Sequence, residues 1–580
     1  MQLRTLQLPQ HDSRSGPRQD QLASARETYR YSYEWPPGVA VAAEVPRSDT
    51  YSANYIAHLL PSSWDLFRNT LGLVDLVAET DGLRRFFESE GLRVPTLEPH
   101  EIGNWYLRIA NDLSSYVSST QPVTIDSYRA LHRAIPVPEL WDVWREDRAF
   151  AWQRVAGVNP MPLARVREIP EHIAIDQAVF SRALGAGASL DAALAEGRLF
   201  ACDYGYLDGA ATGVSFGRKK SLAGPYGLFA AIDGTLRPVA IQLGKARESG
   251  VFVPSDGSAW MLAKLVLQIA DGNHHETSSH LGRTHMVMEA VTLALRRQLA
   301  ERHPLHRLLL PHCEFTLPIN NSAATNLIAP GGAVDRVFGG KIEVSAGLVK
   351  ASLDSFSLLE AGVPTEIASR GLDDREVLPE HPYRDDATLV FGAIRRFVER
   401  YVRIYYESDA DVVADTELSA FVDELGAQNG GRLRGLSIPR TTDALVSLVS
   451  NIVWLASGQH AAVNFPQYPF MGVVPNLCGA LWGTWPPANP ADPAELVAQM
   501  PPYNMAVLQI HTVFQLSSLR INHLGRYGIA HFLDGAARDA ADTFEKELDE
   551  IEKTLTERDA TRYMPYPHLF PSNIPQSIHI

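Results

Sequence analysis

The feature that most constrains this chain is a long helical pattern from Trp260 to Asn320. Apolar residues recur there every three or four positions, which is the spacing of a helix that is buried on more than one face. We expect the helix to end near Pro304, because proline cannot continue the backbone hydrogen-bond ladder. Seven of the nineteen histidines of the chain lie in this stretch: His274, His275, His280, His285, His303, His306 and His312.

The spacing of these histidines bears on whether they share a metal ion. His275 and His280 are five residues apart, which puts them about 140° apart around a regular α-helix. A wide π turn, with an i to i+5 hydrogen bond, would bring them onto one face, and such turns occur mostly at functional sites. His280 and His285 have the same spacing, so spacing alone does not choose the pair. The string from His275 through Glu276 to His280 is one residue longer than the H-E-x-x-H motif of zinc peptidases, which argues against that class.

Further strings around these histidines form a long signature. They are Trp260-x-Leu262-Ala263-Lys264, His275-x4-His280-x4-His285-x3-Glu289, Arg297-x-Leu299, His303-Pro304, Leu308-Leu309-x-Pro311-His312 and Ile319-Asn320. Together they resemble the central signature of lipoxygenases. By this resemblance the iron ligands on the helix are His275 and His280, and the other five histidines are packing residues or neighbours of the ligands.

A second string lies near the end of a later apolar helix, which begins near Thr442. It reads His460-Ala-Ala-Val-Asn464-Phe, and a spacing of four puts His460 and Asn464 on one helix face. The string resembles the family segment that supplies a third histidine ligand and an asparagine ligand. Gln467, three residues further on, is placed either to orient the Asn464 amide or to make a hydrogen bond at the helix end.

The chain ends in Ile580, and an apolar last residue two positions after Ile578 suits burial better than exposure. By the same resemblance, the terminal carboxylate of Ile580 enters the core and binds iron. The implied ligand set is His275, His280, His460, Asn464 and Ile580. Imidazole and carboxylate ligands suit one non-haem iron per chain, and manganese is the alternative metal.

The reaction implied by the resemblance is dioxygenation of a polyunsaturated fatty acid that carries a cis,cis-1,4-pentadiene. An iron(III)-hydroxide would abstract a bis-allylic hydrogen, and O2 would capture the pentadienyl radical to give a conjugated hydroperoxide. Ala323 matches the family position where alanine accompanies S products, and Leu327 would line the same pocket, so we predict mainly S product. A hydroperoxide isomerase on the same fold and a non-catalytic lipid-binding relative are the alternatives.

The predicted fold is a mainly α lipoxygenase-like catalytic domain built round long central helices, with small β elements near residues 199–243. Asp233-Gly234 joins two alternating runs there and is typical of a hairpin turn. Residues 1–25 are polar and predict a flexible tail, and residues 26–580 predict one domain. Many relatives begin with a lipid-binding β-barrel, whereas helical patterns near residues 64–88 and 101–117 predict a helical lead-in here.

Composition limits the classes of binding partner and the cellular compartments that fit this chain. A net charge of −15 argues against nucleic acid as a main partner and against attraction to anionic membranes. Cys202, Cys313 and Cys478 are too few and too scattered for a disulfide framework or a thiolate metal site. No signal peptide and no apolar run of membrane-spanning length is visible. We therefore expect a cytoplasmic protein, although a secreted protein without disulfides would have the same pattern.

Overall fold

The structure is a computed structural model that describes residues 6–76, 99–528 and 530–580 of the chain. Helices predominate, as the sequence predicted. In this part of the chain, the helices of ten or more residues are α1 (Ser15–Thr28), α2 (Ala53–Gly72), α3 (Pro99–Ser114), α4 (Asp147–Ala156), α5 (Ser258–His274), α6 (Val287–Gln298), α7 (Thr316–Asn326), α8 (Ile342–Ser355), α9 (Pro382–Tyr405), α10 (Thr416–Gly426), α11 (Thr442–Trp454), α12 (Tyr503–Leu516) and α13 (Gly535–Asp559). The shorter helices include Gln177–Leu184, Leu190–Ala195, Pro304–Leu309, Ala333–Val337, Val363–Ser369, Asp409–Ala414, His460–Asn464, Gln467–Met471 and Pro493–Ala498.

The core is organised around α5 and α6, which the π-helix His275–Met286 joins end to end. Almost every residue of this central helix from Leu262 to Leu295 is buried, because α8 packs on the π-helix and α10 packs on α6. The predicted central helix is thus confirmed. It ends at Gln298, and Pro304 begins a new short helix.

The β structure lies beside this helical core. The strands are β1 (Tyr31–Ser32), β2 (Val41–Ala42), β3 (Ala164–Arg165), β4 (Leu199–Asp203), β5 (Val214–Ser215), β6 (Arg218–Lys219), β7 (Tyr226–Ile232), β8 (Thr235–Gln242) and β9 (Val251–Phe252). Five of them form an antiparallel sheet in the order β3-β4-β7-β8-β9. Asp233 and Gly234 turn the β7–β8 hairpin with φ values of 51° and 76°, as a two-residue turn with two positive φ angles requires. The predicted hairpin is confirmed.

The N-terminal segment differs from the tail that the sequence favoured for residues 1–25. Residues 1–5 lie outside the described residues, but Leu8 is buried and α1 buries Leu22 and Arg18. The Arg18 guanidinium contacts Asp12 at 3.0 Å and donates through Nη2 to Glu417 Oε2 at 2.9 Å. A buried cation with two carboxylate partners fixes this segment against α10, and no local pattern reveals a partner 399 residues away.

The helical lead-in is present where the structure describes it. Helices α2 and α3 overlap the predicted stretches 64–88 and 101–117, and residues 77–88 lie outside the described residues. Both helices pack against each other and α3 also packs on α12. None of the helices in the described part of the chain combines the length and the apolar character needed to span a bilayer.

Candidate metal centre

The central helix widens into a π-helix of twelve residues that begins at His275. Each N–H in a π-helix bonds the carbonyl five residues back, so His275, His280 and His285 project from similar positions on successive turns. The sequence predicted a single wide turn, and the structure extends it over this longer segment. Gly282 permits the close approach of α8, because a Cβ at this position would collide with Ser352 Oγ.

A third histidine completes a cluster with two of these residues. His460 follows the second π-helix, Leu455–Gln459. The potential ligand atoms of His280, His285 and His460 all lie within 4.8 Å of one another, and all three residues are buried. Both ring nitrogens of His460 lack a hydrogen-bond partner, which is unusual for buried polar atoms. We call these three residues the histidine cluster.

The hydrogen bonds of two rings fix the direction of their lone pairs. Nδ1 of His280 lies 3.3 Å from Glu276 Oε2, and Nδ1 of His285 lies 2.8 Å from Asn320 Oδ1. Because these oxygens accept, each ring carries its proton on Nδ1 and presents the Nε2 lone pair. The two Nε2 atoms face each other at 3.1 Å. Two lone pairs so close together repel unless a cation binds both.

His275 does not join the histidine cluster, in contrast to the ligand set inferred from the sequence. Its Nε2–H donates to the Val463 carbonyl at 2.7 Å, so this nitrogen has no lone pair to offer. The ring stacks on that of His280, with centroids 5.5 Å apart. The sequence predicted a pair of ligands five residues apart, His275 and His280. The structure brings together the next pair with the same spacing, His280 and His285.

Asn464 and Gln467 form the hydrogen bond that their spacing suggested. Nε2 of Gln467 donates to Asn464 Oδ1 at 2.8 Å, and Nδ2 of Asn464 donates to the Leu516 carbonyl at 2.7 Å. These two bonds fix the orientation of the amide and leave one lone pair of Oδ1 free. The terminal Ile580 is buried and lines the same pocket as His280.

The histidine cluster is electrically neutral. Burial lowers the pKa of His280 to about 3, and burial together with the nearby His280 lowers the pKa of His285 to about 3. Burial is also the main cause that puts the pKa of His460 well below its ordinary value. The backbone of Ile580 lies close enough to the ring to offset part of this lowering. Neutral imidazoles are the form that binds metal ions.

The histidine cluster opens into a narrow apolar pocket. The pocket is lined by Tyr51, Tyr55, Leu59, Tyr106, His280, Leu281, His285, Ile319, Ala323, Leu327, Leu516 and Ile580. Ala323 and Leu327, selected from the sequence, therefore lie in the same pocket as the histidines. A second pocket shares Leu327 and Leu516 with the first and ends at Glu276, Gln467, Gln509 and Thr512. The two pockets are therefore neighbours, separated by Leu327 and Leu516.

Comparison with known proteins agrees with these features. The family model described as Lipoxygenase matches residues 130–565. The chain belongs to the lipoxygenase family. Linoleate 9/13-lipoxygenase of Pseudomonas aeruginosa is 36% identical over 485 residues, which cover 79% of this chain and 70% of the relative. Hydroperoxide isomerase ALOXE3 of Mus musculus is 31% identical over 460 residues, which cover 77% of this chain and 64% of the relative.

A solved lipoxygenase structure supports the same assignment of the fold. It is the delta413-417:GS lipoxygenase in complex with arachidonate. Its TM-score with this chain is 0.86 at 26% sequence identity, and the match covers 99% of this chain and 83% of that chain. The resemblance inferred from the sequence is therefore confirmed, together with the mainly α catalytic fold.

Asn320 belongs to the sequence signature, and its contacts give it a role that the sequence did not predict. Asn320 Nδ2 donates to Glu289 Oε2 at 2.8 Å and to the His285 carbonyl at 3.1 Å, while its Oδ1 accepts from the His285 ring. Glu289 in turn accepts from the backbone N–H of Ala42 at 2.8 Å. Asn320 thus sets the tautomer of His285. The clue in the sequence was the Ile319-Asn320 pair at the end of the signature.

A buried ion pair braces the start of the π-helix. Nη1 of Arg154 lies 2.6 Å from Asp271 Oδ2, and Asp271 Oδ1 accepts from Tyr204 and Asn159 at 2.6 and 2.7 Å. The Oδ1 of Asn159 accepts from Ser279 at 2.8 Å. Asp271 lies one turn before His275 and Ser279 directly precedes His280. The network therefore ties the end of α5 to the part of the π-helix that carries His280.

The residues present fit a non-haem iron. His280, His285 and His460 offer imidazole nitrogens within 4.8 Å of one another, and imidazole nitrogens suit iron. Asn464 lies one turn after His460 on the same helix, and Ile580 lines the pocket beside His280 and His285, so each would add an oxygen donor of the kind that iron binds. The unpartnered nitrogens of His460 and the facing lone pairs of His280 and His285 are the observations that call for a cation.

Proposed function

We propose that this lipoxygenase is a non-haem iron dioxygenase of polyunsaturated fatty acids that forms conjugated hydroperoxides. The observation that carries the proposal is the neutral, buried histidine cluster at the wall of an apolar pocket. The net reaction adds one O2 to one fatty acid with a cis,cis-1,4-pentadiene. It needs no further oxidant, because the hydrogen atom taken from the substrate at the start is returned to the peroxyl radical at the end.

The residues that we propose to hold the iron differ in one member from the set inferred from the sequence. They are His280, His285, His460, Asn464 and the carboxylate of Ile580. Iron bound there would supply the one-electron oxidation that removes a bis-allylic hydrogen, and manganese would suit the same donors. Gln467 orients the Asn464 amide from outside this set.

The pocket suits the binding of an acyl chain. The hydroxyl groups of its three tyrosines have partners: Tyr51 with Ser322, Tyr106 with Ser62 and Tyr55 with the His579 carbonyl. The tyrosine rings and the aliphatic side chains therefore form the pocket surface. Such a surface excludes water and holds the pentadiene beside the histidine cluster, which contributes to catalysis by positioning.

The position of Ala323 supports the formation of mainly S product. Ala323 and Leu327 line the same pocket as His280 and His285, so both would lie near the reacting carbon atoms of a fatty acid bound there. The small Ala323 side chain occupies the position where, by the family resemblance, alanine accompanies S products. Chiral-phase chromatography of the hydroperoxides formed from linoleate measures the configuration directly, and mostly R product would refute this part of the proposal.

The function is tested by three measurements on one purified sample. Metal content is measured by plasma emission spectrometry, O2 uptake with an oxygen electrode, and conjugated diene by absorbance after linoleate is added. We expect about one iron per chain, because the described part of the chain holds one histidine cluster, and O2 consumption equal to diene formation. A sample without metal or O2 uptake would instead favour a lipid-binding protein.

A second candidate function is that of a hydroperoxide isomerase. The observation in its favour is the 31% identity with the mouse protein that carries this name. Linoleate hydroperoxide supplied without O2 distinguishes the two functions. An isomerase would remove the conjugated diene of the hydroperoxide in many turnovers while failing to consume O2 with linoleate.

A further inference from the structure

The last residues of the chain are paired with the segment that follows α12. Leu524 N–H donates to the Ile574 carbonyl at 2.8 Å, and Gln576 N–H donates to the Asn522 carbonyl at 2.8 Å. This pairing extends to Gln576. The position of Ile580 therefore depends on contacts made by residues 577–580 themselves.

Tyr55 of α2 makes such a contact. Its hydroxyl donates to the carbonyl oxygen of His579 at 2.7 Å, and both residues are buried. The Tyr55 ring stacks on Tyr51 at a centroid distance of 4.6 Å and lies 4.7 Å from Phe315. Phe315 also contacts the His579 ring edge-on at 5.6 Å. Aromatic neighbours on two sides thus fix the direction of the Tyr55 hydroxyl.

We propose that Tyr55 is a positioning residue for the metal centre and acts through the C-terminal residue. The His579 carbonyl belongs to the planar peptide unit that contains the N–H of Ile580. A hydrogen bond to that carbonyl therefore fixes the plane from which the Ile580 Cα and its carboxylate extend toward the histidine cluster. The inference rests on the proposed function, in which this carboxylate binds iron.

The position of Tyr55 gives this contact a second consequence. Tyr55 also lines the apolar pocket, with Leu59 one turn further along α2. The residue that fixes the terminal carboxylate is therefore part of the wall that an acyl chain contacts. Binding of an acyl chain and the geometry of the metal centre are therefore linked through the Tyr55 side chain.

Tyr51 provides a matched control. It is buried, lies four positions before Tyr55, lines the same pocket, and packs on the same Phe315 ring. Its hydroxyl contacts Ser322 Oγ at 3.2 Å and not the chain terminus. Tyr51→Phe and Tyr55→Phe thus remove the same chemical group from the same pocket, and only the second loses the contact with His579.

The test compares iron loss from the full-length wild type, Tyr55→Phe and Tyr51→Phe after each has been loaded with iron. Each protein is mixed with excess ferrous chelator, and the coloured complex is followed over time. Loss of an outer partner of a ligand typically weakens metal binding 10–100-fold, so we expect about tenfold faster iron loss from Tyr55→Phe. Tyr51→Phe should match the wild type.

Thermal unfolding of the metal-free proteins separates positioning from general stability. Equal midpoints for the two variants, with faster iron loss from Tyr55→Phe alone, would support the proposal. Iron loss from Tyr55→Phe at the wild-type rate, or equal acceleration in both variants, would overturn it while leaving the proposed function intact. A wild type that binds no iron would overturn both, and its metal content is measured first for that reason.

Discussion

The Nδ1–H of His285 donates to Oδ1 of Asn320 across 2.8 Å, although the two residues are 35 positions apart. This bond leaves Nε2 of His285 as a lone pair that faces Nε2 of His280. The opposite choice of tautomer would place a proton in the centre of the histidine cluster. The hydrogen bond from a residue outside the cluster therefore decides whether its nitrogens are available to a metal.

Replacing Asn320 should weaken iron binding without removing a ligand. Asn320→Leu leaves the His285 ring and the Glu289 carboxyl group without their amide partner, and we expect iron affinity to fall by about 10–100-fold. The neighbouring Asn321 is exposed, so Asn321→Leu is the control. Iron titration followed by tryptophan fluorescence measures the affinity. Equal affinities in the two variants would show that Asn320 does not orient His285.

The ligand role of His285 and the different role of His275 can be tested together. His285→Gln should lose most of its iron, with a larger loss of affinity than the roughly 10–100-fold expected for removal of an outer partner, because it removes one of the three clustered imidazoles. His275→Gln should keep its iron, because Nε2 of His275 donates to Val463 and glutamine can also donate. Metal content of the two purified variants decides the matter. Iron retained in His285→Gln and lost in His275→Gln would restore the ligand set inferred from the sequence.

Ala323 should control the configuration of the product. Ala323→Gly removes a methyl group from the pocket wall beside the histidine cluster, and we expect the major hydroperoxide to change from S to R. Ala324→Gly, at the adjacent position outside the pocket lining, is the control. Chiral-phase chromatography of the linoleate products measures the ratio. An unchanged ratio in Ala323→Gly would assign stereocontrol to other residues.

The buried ion pair that braces the π-helix should be important for stability. Arg154 and Asp271 are 1% and 0% exposed, and removal of one partner of a buried pair typically costs about 3–5 kcal/mol. Arg154→Met should therefore lower the free energy of unfolding by about that amount. Arg129→Met breaks an exposed pair with Asp142, for which about 0–1 kcal/mol is expected. Urea unfolding measures both, and similar values would contradict the bracing role.

Buried neutral histidines should make the protein sensitive to acid. Burial lowers the pKa of His511 to about 3, whereas the unfolded chain has a histidine pKa of about 6.5. Below about pH 6.5 the unfolded state binds a proton that the folded state does not. The stabilisation is therefore complete above this pH and is lost as the pH falls toward about 3.

His511→Gln tests this pH dependence. The glutamine oxygen can accept the hydrogen bond from Asn69 that His511 Nε2 accepts, but it does not titrate. Below about pH 5.5 we expect the free energy of unfolding to fall less steeply in the variant, by about 1.4 kcal/mol per pH unit. His58→Gln, at an exposed position, is the control for loss of a histidine. Parallel curves for wild type and His511→Gln would contradict the prediction.

Local patterns predicted the elements of this fold better than the choice of ligands. The apolar periodicity of the central helix and the Asp233-Gly234 turn depend on neighbours in sequence, so both were predictable. The choice between His275 and His285 depends on His460, which comes from another helix. The same five-residue spacing links all three histidines of the π-helix, and they differ in the contacts that they make with the helix that carries His460.

Long-range polar pairing also explains the N-terminal difference. The polar composition of residues 1–25 is typical of a tail, but Arg18 is buried by its contacts with Asp12 and Glu417. A charged residue is stable in the core only when it contacts partners of opposite charge. One partner of Arg18, Glu417, lies on α10, far away in the sequence. Sequence composition records the charge and gives no information about that partner.

The length of the π-helix determines how α6 is rotated about the helix axis relative to α5. Residues of α6 such as Val287, Val291 and Leu295 are fully buried, and α6 packs on α1, α7 and α10. Removal of one residue between His275 and Met286 would turn α6 by about 100° relative to α5. The number of residues in this segment therefore determines which side chains of α6 face each neighbouring helix. An insertion or deletion within it would disrupt core packing well beyond the metal centre.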